Sequence, residues 1–228
     1  MKPLLITTVT HGDEGFSVPV VKKLAKKYNF DWQMNNLKAF KLGKRYFQKD
    51  LNRSGPGDPR SEIYEERLAY KIINKSKKYR QVIDIHGSIS NCGVFIILSE
   101  PSTQNIELAK KLDIENVVLW PSLRAMDAPL TQFIPNSLEI ECGPMTDVKI
   151  IQGLKKVLIR FLKGKMPAVT QKYFIVTGRI EKNLKYKWQD FQPATYNGIG
   201  FYPLLVDQYP GIKCYTLQQV YNPLSKSI

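Results

Sequence analysis

Leu4-Leu5-Ile6-Thr7-Thr8-Val9-Thr10-His11-Gly12-Asp13-Glu14-Gly15 is the stretch whose reading decides the fold. Its apolar half, residues 4–9, reads as a buried strand. Its polar half sets an imidazole and a carboxylate at the end of that strand, and a helical pattern begins near Phe16. The only other histidine, His86, follows the apolar run Val82-Ile83-Asp84-Ile85 and precedes Gly87, so both histidines are strand-end His-Gly pairs. In an open α/β sheet, ligands bind at the carboxyl ends of strands, so the pattern predicts one site built from His11, Glu14 and His86. Two imidazoles and a carboxylate with a fourth position left open are the donor set of a catalytic zinc, one ion per chain. His-x-x-Glu by itself is a common polar pattern; its weight here comes from the equivalent placing of the two histidines.

Outward from that stretch, short apolar runs alternate with helical periodicity from residue 3 to about 165. This predicts an α/β fold with a mixed, mainly parallel sheet and helices on both faces. Strands are expected over 4–9, 30–34, 82–85, 94–98, 117–120 and 138–142, and helices over 16–27, 103–112 and 147–162. A further helix is expected from Asp58-Pro59 through Ile73, because proline suits a first helical turn. Residues 121–136, with their Pro, Ser, Asp and Gln content, read as an irregular loop and a candidate lid. After Gly164-Lys165-Met166-Pro167 the character changes to aromatic and β-branched runs at 173–178 and 200–206, separated by Gly, Pro and Asn. The expected division is therefore a catalytic domain over 1–165 and a small β-rich domain over 166–228.

A length of 228 residues allows one well-buried domain with a small second one. No apolar run approaches the roughly 20 residues of a membrane span, and the amino-terminal stretch lacks a small-residue cleavage site, so a cytoplasmic protein without membrane contact is expected. Cys92, Cys142 and Cys214 are odd in number and never spaced as Cys-x-x-Cys, which points to buried, reduced thiols. The formal charge of +14 is largely carried by the wet faces of amphipathic segments: Lys22, Lys23, Lys26 and Lys27 alternate with Val20, Val21 and Leu24, and Lys149, Lys155, Lys156 and Lys163 with Ile150, Leu154 and Leu158. With no recognition motif present, we read the charge as solvation and steering of an anionic substrate, against a nucleic-acid footprint.

Two more groups carry candidate chemistry. Asp50-Leu51-Asn52-Arg53 is followed by Ser54-Gly55-Pro56-Gly57, which cannot be helix and displays its neighbours on a loop. In Glu139-Ile140-Glu141-Cys142-Gly143-Pro144 the alternation puts Glu139 and Glu141 on one face of a strand, where a carboxylate is costly unless paired or functional.

Taken in order, these motifs resemble the aspartoacylase and succinylglutamate desuccinylase family, a branch of the zinc carboxypeptidase-like fold. The matching blocks are Thr-His-Gly-Asp-Glu at 10–14, Asp-Leu-Asn-Arg at 50–53, Asp-Ile-His-Gly-Ser-Ile-Ser-Asn-Cys-Gly at 84–93, Pro-Ser-Leu at 121–123, Ile-Glu-Cys-Gly-Pro at 140–144 and Tyr-Pro-Leu-Leu-Val-Asp-Gln at 202–208. The resemblance implies a zinc-dependent amidohydrolase, a deacylase of N-acyl amino acids, with His11, Glu14 and His86 on the metal and Glu141 taking a proton from water and passing it to the leaving amine. It implies that Arg45 polarises the scissile carbonyl, that Asn52 and Arg53 grip the substrate carboxylate, and that Asp50 orients a ligand histidine from behind. A tyrosine from the last domain is expected at the substrate, and Tyr209, offset by two residues, is the candidate. Some positions depart from the family pattern. The resemblance places a second arginine, for a side-chain carboxylate, where this chain has Thr131; Arg124 is the nearest basic residue and the candidate replacement. Asp13 replaces the usual asparagine, and the chain is short in its last domain. The substrate is thus expected to be a small N-acyl amino acid or, as an alternative, a short peptide with a free carboxylate cut by a carboxypeptidase-type reaction. A second alternative, from a different class, is a basic nucleic-acid-binding protein with a vestigial pocket.

Overall fold

A computed structural model of the chain describes residues 2–120, 128–181 and 186–223. Its strands are β1 (Lys2–Thr8), β2 (Asp31–Met34), β3 (Tyr79–Gly87), β4 (Gly93–Leu98), β5 (Asn116–Leu119), β6 (Ser137–Gly143), β7 (Lys172–Glu181), β8 (Ala194–Tyr196), β9 (Ile199–Leu204) and β10 (Ile212–Val220). The helices are α1 (Val18–Ala25), α2 (Leu37–Lys41), α3 (Tyr64–Ser76), α4 (Thr103–Ala109) and α5 (Val148–Leu162). The strands form one sheet in the order β2-β1-β3-β6-β4-β5-β7-β10-β9-β8. β1 pairs in parallel with β2 and β3, β3 with β6, and β5 with β4 and β7. β6 and β4 run antiparallel, as do β7, β10, β9 and β8. The sheet is therefore mixed and mainly parallel in its first part, and its carboxy-terminal strands continue it as an antiparallel group beyond β5, with β10 between β7 and β9.

The alternation within the central strands sorts the faces. Leu4, Ile6, Ile83, Ile85, Leu138 and Ile140 pack with Val20, Val21 and Leu24 of α1, Ile106 and Leu108 of α4, and Leu154 and Leu158 of α5. Their lysines face outward: Lys22, Lys23, Lys26 and Lys27 are exposed. On the opposite face, Leu5 and Val82 pack with Ala69, Ile72 and Ile73 of α3, while Phe95, Ile97, Val118 and Phe174 pack under Leu204, Leu205 and Leu217. Between these last two clusters the same face carries polar residues. The register sets Thr7 beside Asp84, Asp84 beside Glu139 and His86 beside Glu141. The three cysteines are free and buried.

Several elements differ from expectation. α3 begins at Tyr64, not at Asp58. Gly57, at φ +82°, lies so close to α3 that a Cβ would meet the backbone of Tyr70 and Glu66 at 2.3 and 2.5 Å, so this segment crosses the helix and cannot extend it. Asp58 instead accepts from the Arg60 amide at 2.8 Å in a local turn. The expected helix from Phe16 opens as a 3-10 turn at Gly15–Ser17 before α1. Helix α2 was not expected; five residues are too few to show a period, and Asn36 caps it by accepting from the Ala39 amide. Within the segment read as an irregular loop, Leu130–Phe133 form a 3-10 turn, and residues 121–127 lie outside the described residues. No helix among the described residues is long and apolar enough to cross a membrane.

Candidate active site

β1 ends at Thr8, and Val9 then turns at φ +60°, a conformation that costs a β-branched residue about 1–3 kcal/mol. The turn is held from outside by the Asn35 and Asn36 amides, which donate to the Thr8 and Val9 carbonyls at 2.8 Å. It swings Thr10 and His11 over the strand ends. Gly12 follows because nothing larger fits: a Cβ there would meet Lys44 O and Ala39 C at 2.3 and 2.4 Å. The same contact lets the Gly12 amide donate to the Arg45 carbonyl at 2.9 Å, which ties Arg45 to the His11 turn.

His11, Glu14 and His86 come together, each buried, with one donor atom apiece lying within 4.8 Å of the others. His11 Nδ1 is 2.7 Å from Glu14 Oε1, and His86 Nδ1 is 3.3 Å from Glu14 Oε2. Both imidazoles thus turn Nδ1 toward the shared carboxylate. Their other nitrogens face carboxylates behind: His11 Nε2 lies 3.0 Å from Asp50 Oδ1, and His86 Nε2 lies 2.9 Å from Asp84 Oδ2. Asp84 accepts in turn from the Thr7 and Thr10 hydroxyls, both at 2.7 Å. A carboxylate behind each histidine fixes the ring orientation and tautomer that a metal ligand needs. Arg45 Nη2 also approaches His11 Nε2 at 2.9 Å, so that nitrogen serves either Asp50 as donor or Arg45 as acceptor according to its tautomer. The Arg45 guanidinium lies 3.5 Å from both Glu14 and Asp50.

The charges agree with a cation-seeking cluster. Burial opposes charge on His11, but Glu14 and Asp50 outweigh it and push its pKa up to about 9. Burial likewise opposes charge on His86, yet Asp84, Glu139 and Glu14 hold it well above the ordinary histidine range. Glu14 is buried, which would raise its pKa, but the two imidazoles bring it well below the carboxylate range. Glu141 goes the other way: burial, then the negative charge of Glu14, push it up to about 8. Protons fill this cluster where a divalent ion would displace them. Two imidazoles and a carboxylate, converging and backed by Asp50 and Asp84, fit such an ion.

These residues border a cavity of about 530 Å³, within the range of small-molecule sites. His11, Glu14, His86, Glu141, Arg45, Asn52, Arg53 and Tyr209 all line it. Asp50 stands behind His11. Arg124 lies outside the described residues. Asn52 accepts the Leu130 amide at 2.8 Å through Oδ1, which leaves its NH₂ group for the cavity. Thr131 does not line the cavity; its hydroxyl donates to Glu139 at 2.6 Å. Sequence reasoning missed Asp84, although Asp-Ile-His alternation puts it on the His86 face. It also missed Trp120, Arg179 and Tyr215 in the lining, which no local pattern marks, and gave no role to Gln208, the last residue of the 202–208 block. Gln208 accepts from the Ile89 and Ser90 amides at 2.8 and 3.2 Å, pinning the loop after His86 to the carboxy-terminal strands.

Fold and site together define an α/β protein with a buried His-Glu-His group that could hold a metal ion, in a cleft at the strand ends. Residues 1–163 match the succinylglutamate desuccinylase/aspartoacylase catalytic domain, and the chain belongs to that family. A probable aspartoacylase of Trichodesmium erythraeum (strain IMS101) is 34% identical over 48% of this chain and 43% of its own length. Another, of Prochlorococcus marinus (strain MIT 9515), is 30% identical over 65% of this chain and 57% of its own. The chain thus spans about half the length of the curated relatives it matches. Among solved structures, murine aminoacylase 3 superposes with a TM-score of 0.76 at 15% identity, covering 96% of this chain and 95% of that one. A succinylglutamate desuccinylase/aspartoacylase from Rhodobacter sphaeroides gives 0.72 at 13% identity, covering 96% and 86%. These structural likenesses establish the fold.

Proposed function

We propose that this protein is a zinc-dependent hydrolase that cleaves the amide bond of an N-acyl amino acid. The observation that carries the reading is the convergence of His11, Glu14 and His86 within 4.8 Å of one another in the cavity that Glu141 also lines. Zinc bound there supplies Lewis acidity, which makes water acidic enough to lose a proton near neutral pH. Glu141, buried on the wall of the same cavity, is placed to accept that proton and return it to the leaving nitrogen. Arg45 lines the cavity beside the ligand cluster, where its guanidinium can hold the oxygen of the scissile carbonyl as charge develops on it. Asn52, with its amide group oriented by Leu130, and Arg53 bind the substrate carboxylate. Tyr209, whose hydroxyl pKa is raised by burial and by Glu141, stays protonated as a hydrogen-bond donor to the substrate. Asp50 and Asp84 hold the two ligand imidazoles in orientation.

The names of the neighbours point the same way: desuccinylase, aspartoacylase and aminoacylase. The reduced, buried thiols accord with a cytoplasmic site of action, and we keep 1–165 and 166–228 as the functional division, the second part supplying Tyr209 and Gln208 to the cleft. The test is a panel of N-acyl amino acids and short peptides incubated with the zinc-loaded protein, following release of free amine. Hydrolysis of N-acyl amino acids is expected; turnover of peptides alone would make the protein a carboxypeptidase, and no turnover of either would overturn the reading.

A further inference from the structure

The mechanism leaves one buried carboxylate of the cavity wall without work. Glu139 is 4% exposed and lines the cavity beside Ile97, its partner across β4 and β6. One of its oxygens is fixed. The Ser99 hydroxyl lies 2.9 Å from the Thr131 hydroxyl, which donates to Glu139 Oε1 at 2.6 Å, so a relay of two hydroxyls ends on this carboxylate. For the other oxygen the described residues supply only a more distant charge. Among these residues His86 Nε2 is 3.9 Å away, beyond hydrogen-bonding distance, and faces Asp84 at 2.9 Å. Among the described residues Glu139 Oε2 therefore receives no hydrogen bond, and the cavity is where one would come from. That oxygen belongs to a side chain on the cavity wall, where a ligand that brings a donor would satisfy it.

The placing of Glu139 says which part of a ligand it meets. A single turn, Leu130–Phe133, anchors both Asn52, through the Leu130 amide, and Glu139, through the Thr131 hydroxyl. Asn52 and Glu139 are thus held by the same turn and line the same cavity, so a ligand whose carboxylate is held at Asn52 shares its cleft with the Glu139 acceptor. We propose that Glu139 is a specificity residue and that the preferred substrates are N-acyl derivatives of amino acids whose side chain carries a nitrogen donor, an amide, amine or guanidinium. An acidic side chain placed against Glu139 would meet a second carboxylate in place of a donor. This inference rests on reading the cleft as the site of an N-acyl amino acid.

The experiment measures binding and turnover separately. Calorimetric affinities for Nα-acetyl-lysine, Nα-acetyl-glutamine, N-acetylglutamate and N-acetylaspartate are determined with zinc-loaded protein, wild type and Glu139→Gln, alongside their rates of hydrolysis. The wild type is expected to bind the nitrogen-bearing compounds roughly 10-fold or more tightly than the acidic ones, and Glu139→Gln to erode the preference for lysine over glutamate while keeping its zinc. Acidic compounds bound as well or better by the wild type would overturn the proposal, and this comparison needs no variant to fold. A wild-type preference left intact by folded Glu139→Gln would overturn the assignment to Glu139. Selective binding without hydrolysis of any compound would uphold Glu139 and sink the hydrolase reading instead.

Discussion

The two walls of the cleft are built differently. On one side stand His11, Glu14, His86, Asp50 and Asp84, whose polar atoms are cross-linked at 2.7–3.3 Å by one another and by Thr7 and Thr10. On the other stand Ile97, Trp120, Leu205, Tyr209 and Tyr215, held chiefly by packing: the Trp120 and Tyr215 rings meet edge to face at 4.5 Å, and Tyr209 and Tyr215 at 6.1 Å. The first wall is over-determined, since each histidine is fixed by a carboxylate behind it, and it suits chemistry that fails with small displacements. The second fits shape and tolerates change. In this account chemistry belongs to the parallel strands β1, β3 and β6, and fit belongs largely to the antiparallel strands that follow β5.

This contrast makes graded predictions. The largest effect falls on the hydrogen-bonded side: Glu141→Gln is expected to lower kcat by about 10²- to 10⁴-fold while zinc content stays the same. A variant with its zinc and full rate would remove Glu141 from the mechanism. Next comes Asp84→Asn, which leaves both histidines in place but loosens His86; chelator competition should show zinc affinity weakened about 10- to 100-fold. Unchanged affinity would mean that Asp84 does not orient the ligand. On the packed side the effect is smallest. Tyr209→Phe should lower kcat/KM by about 2- to 10-fold, the size of one neutral hydrogen bond, with zinc affinity unaltered. A loss of zinc in that variant would erase the distinction between the walls.

The same contrast explains what the sequence disclosed. His11 and His86 were legible because strand-end histidines beside glycine report their own placing, and Glu141 because alternation in β6 separates it from Ile140 and Cys142. Asp84 sat within the same pattern but is recognisable only once His86 is known to face the site. The strain at Val9, which aims His11, leaves no trace in composition. Trp120, Arg179 and Tyr215 reach the cleft through pairings such as Tyr215 with Arg179, which join residues far apart in the chain and obey no local period. The start of α3 was misplaced because Asp58-Pro59 fits a helix opening as well as a turn, and only the close passage of Gly57 over α3 decides between them.

Zinc stoichiometry after dialysis tests the central claim most directly, by elemental analysis of the wild type and of a variant with His11→Ala and His86→Ala together. The account predicts one zinc per wild-type chain and none in the doubly substituted protein. A wild type that takes up no zinc, or a double variant that keeps it, would contradict it.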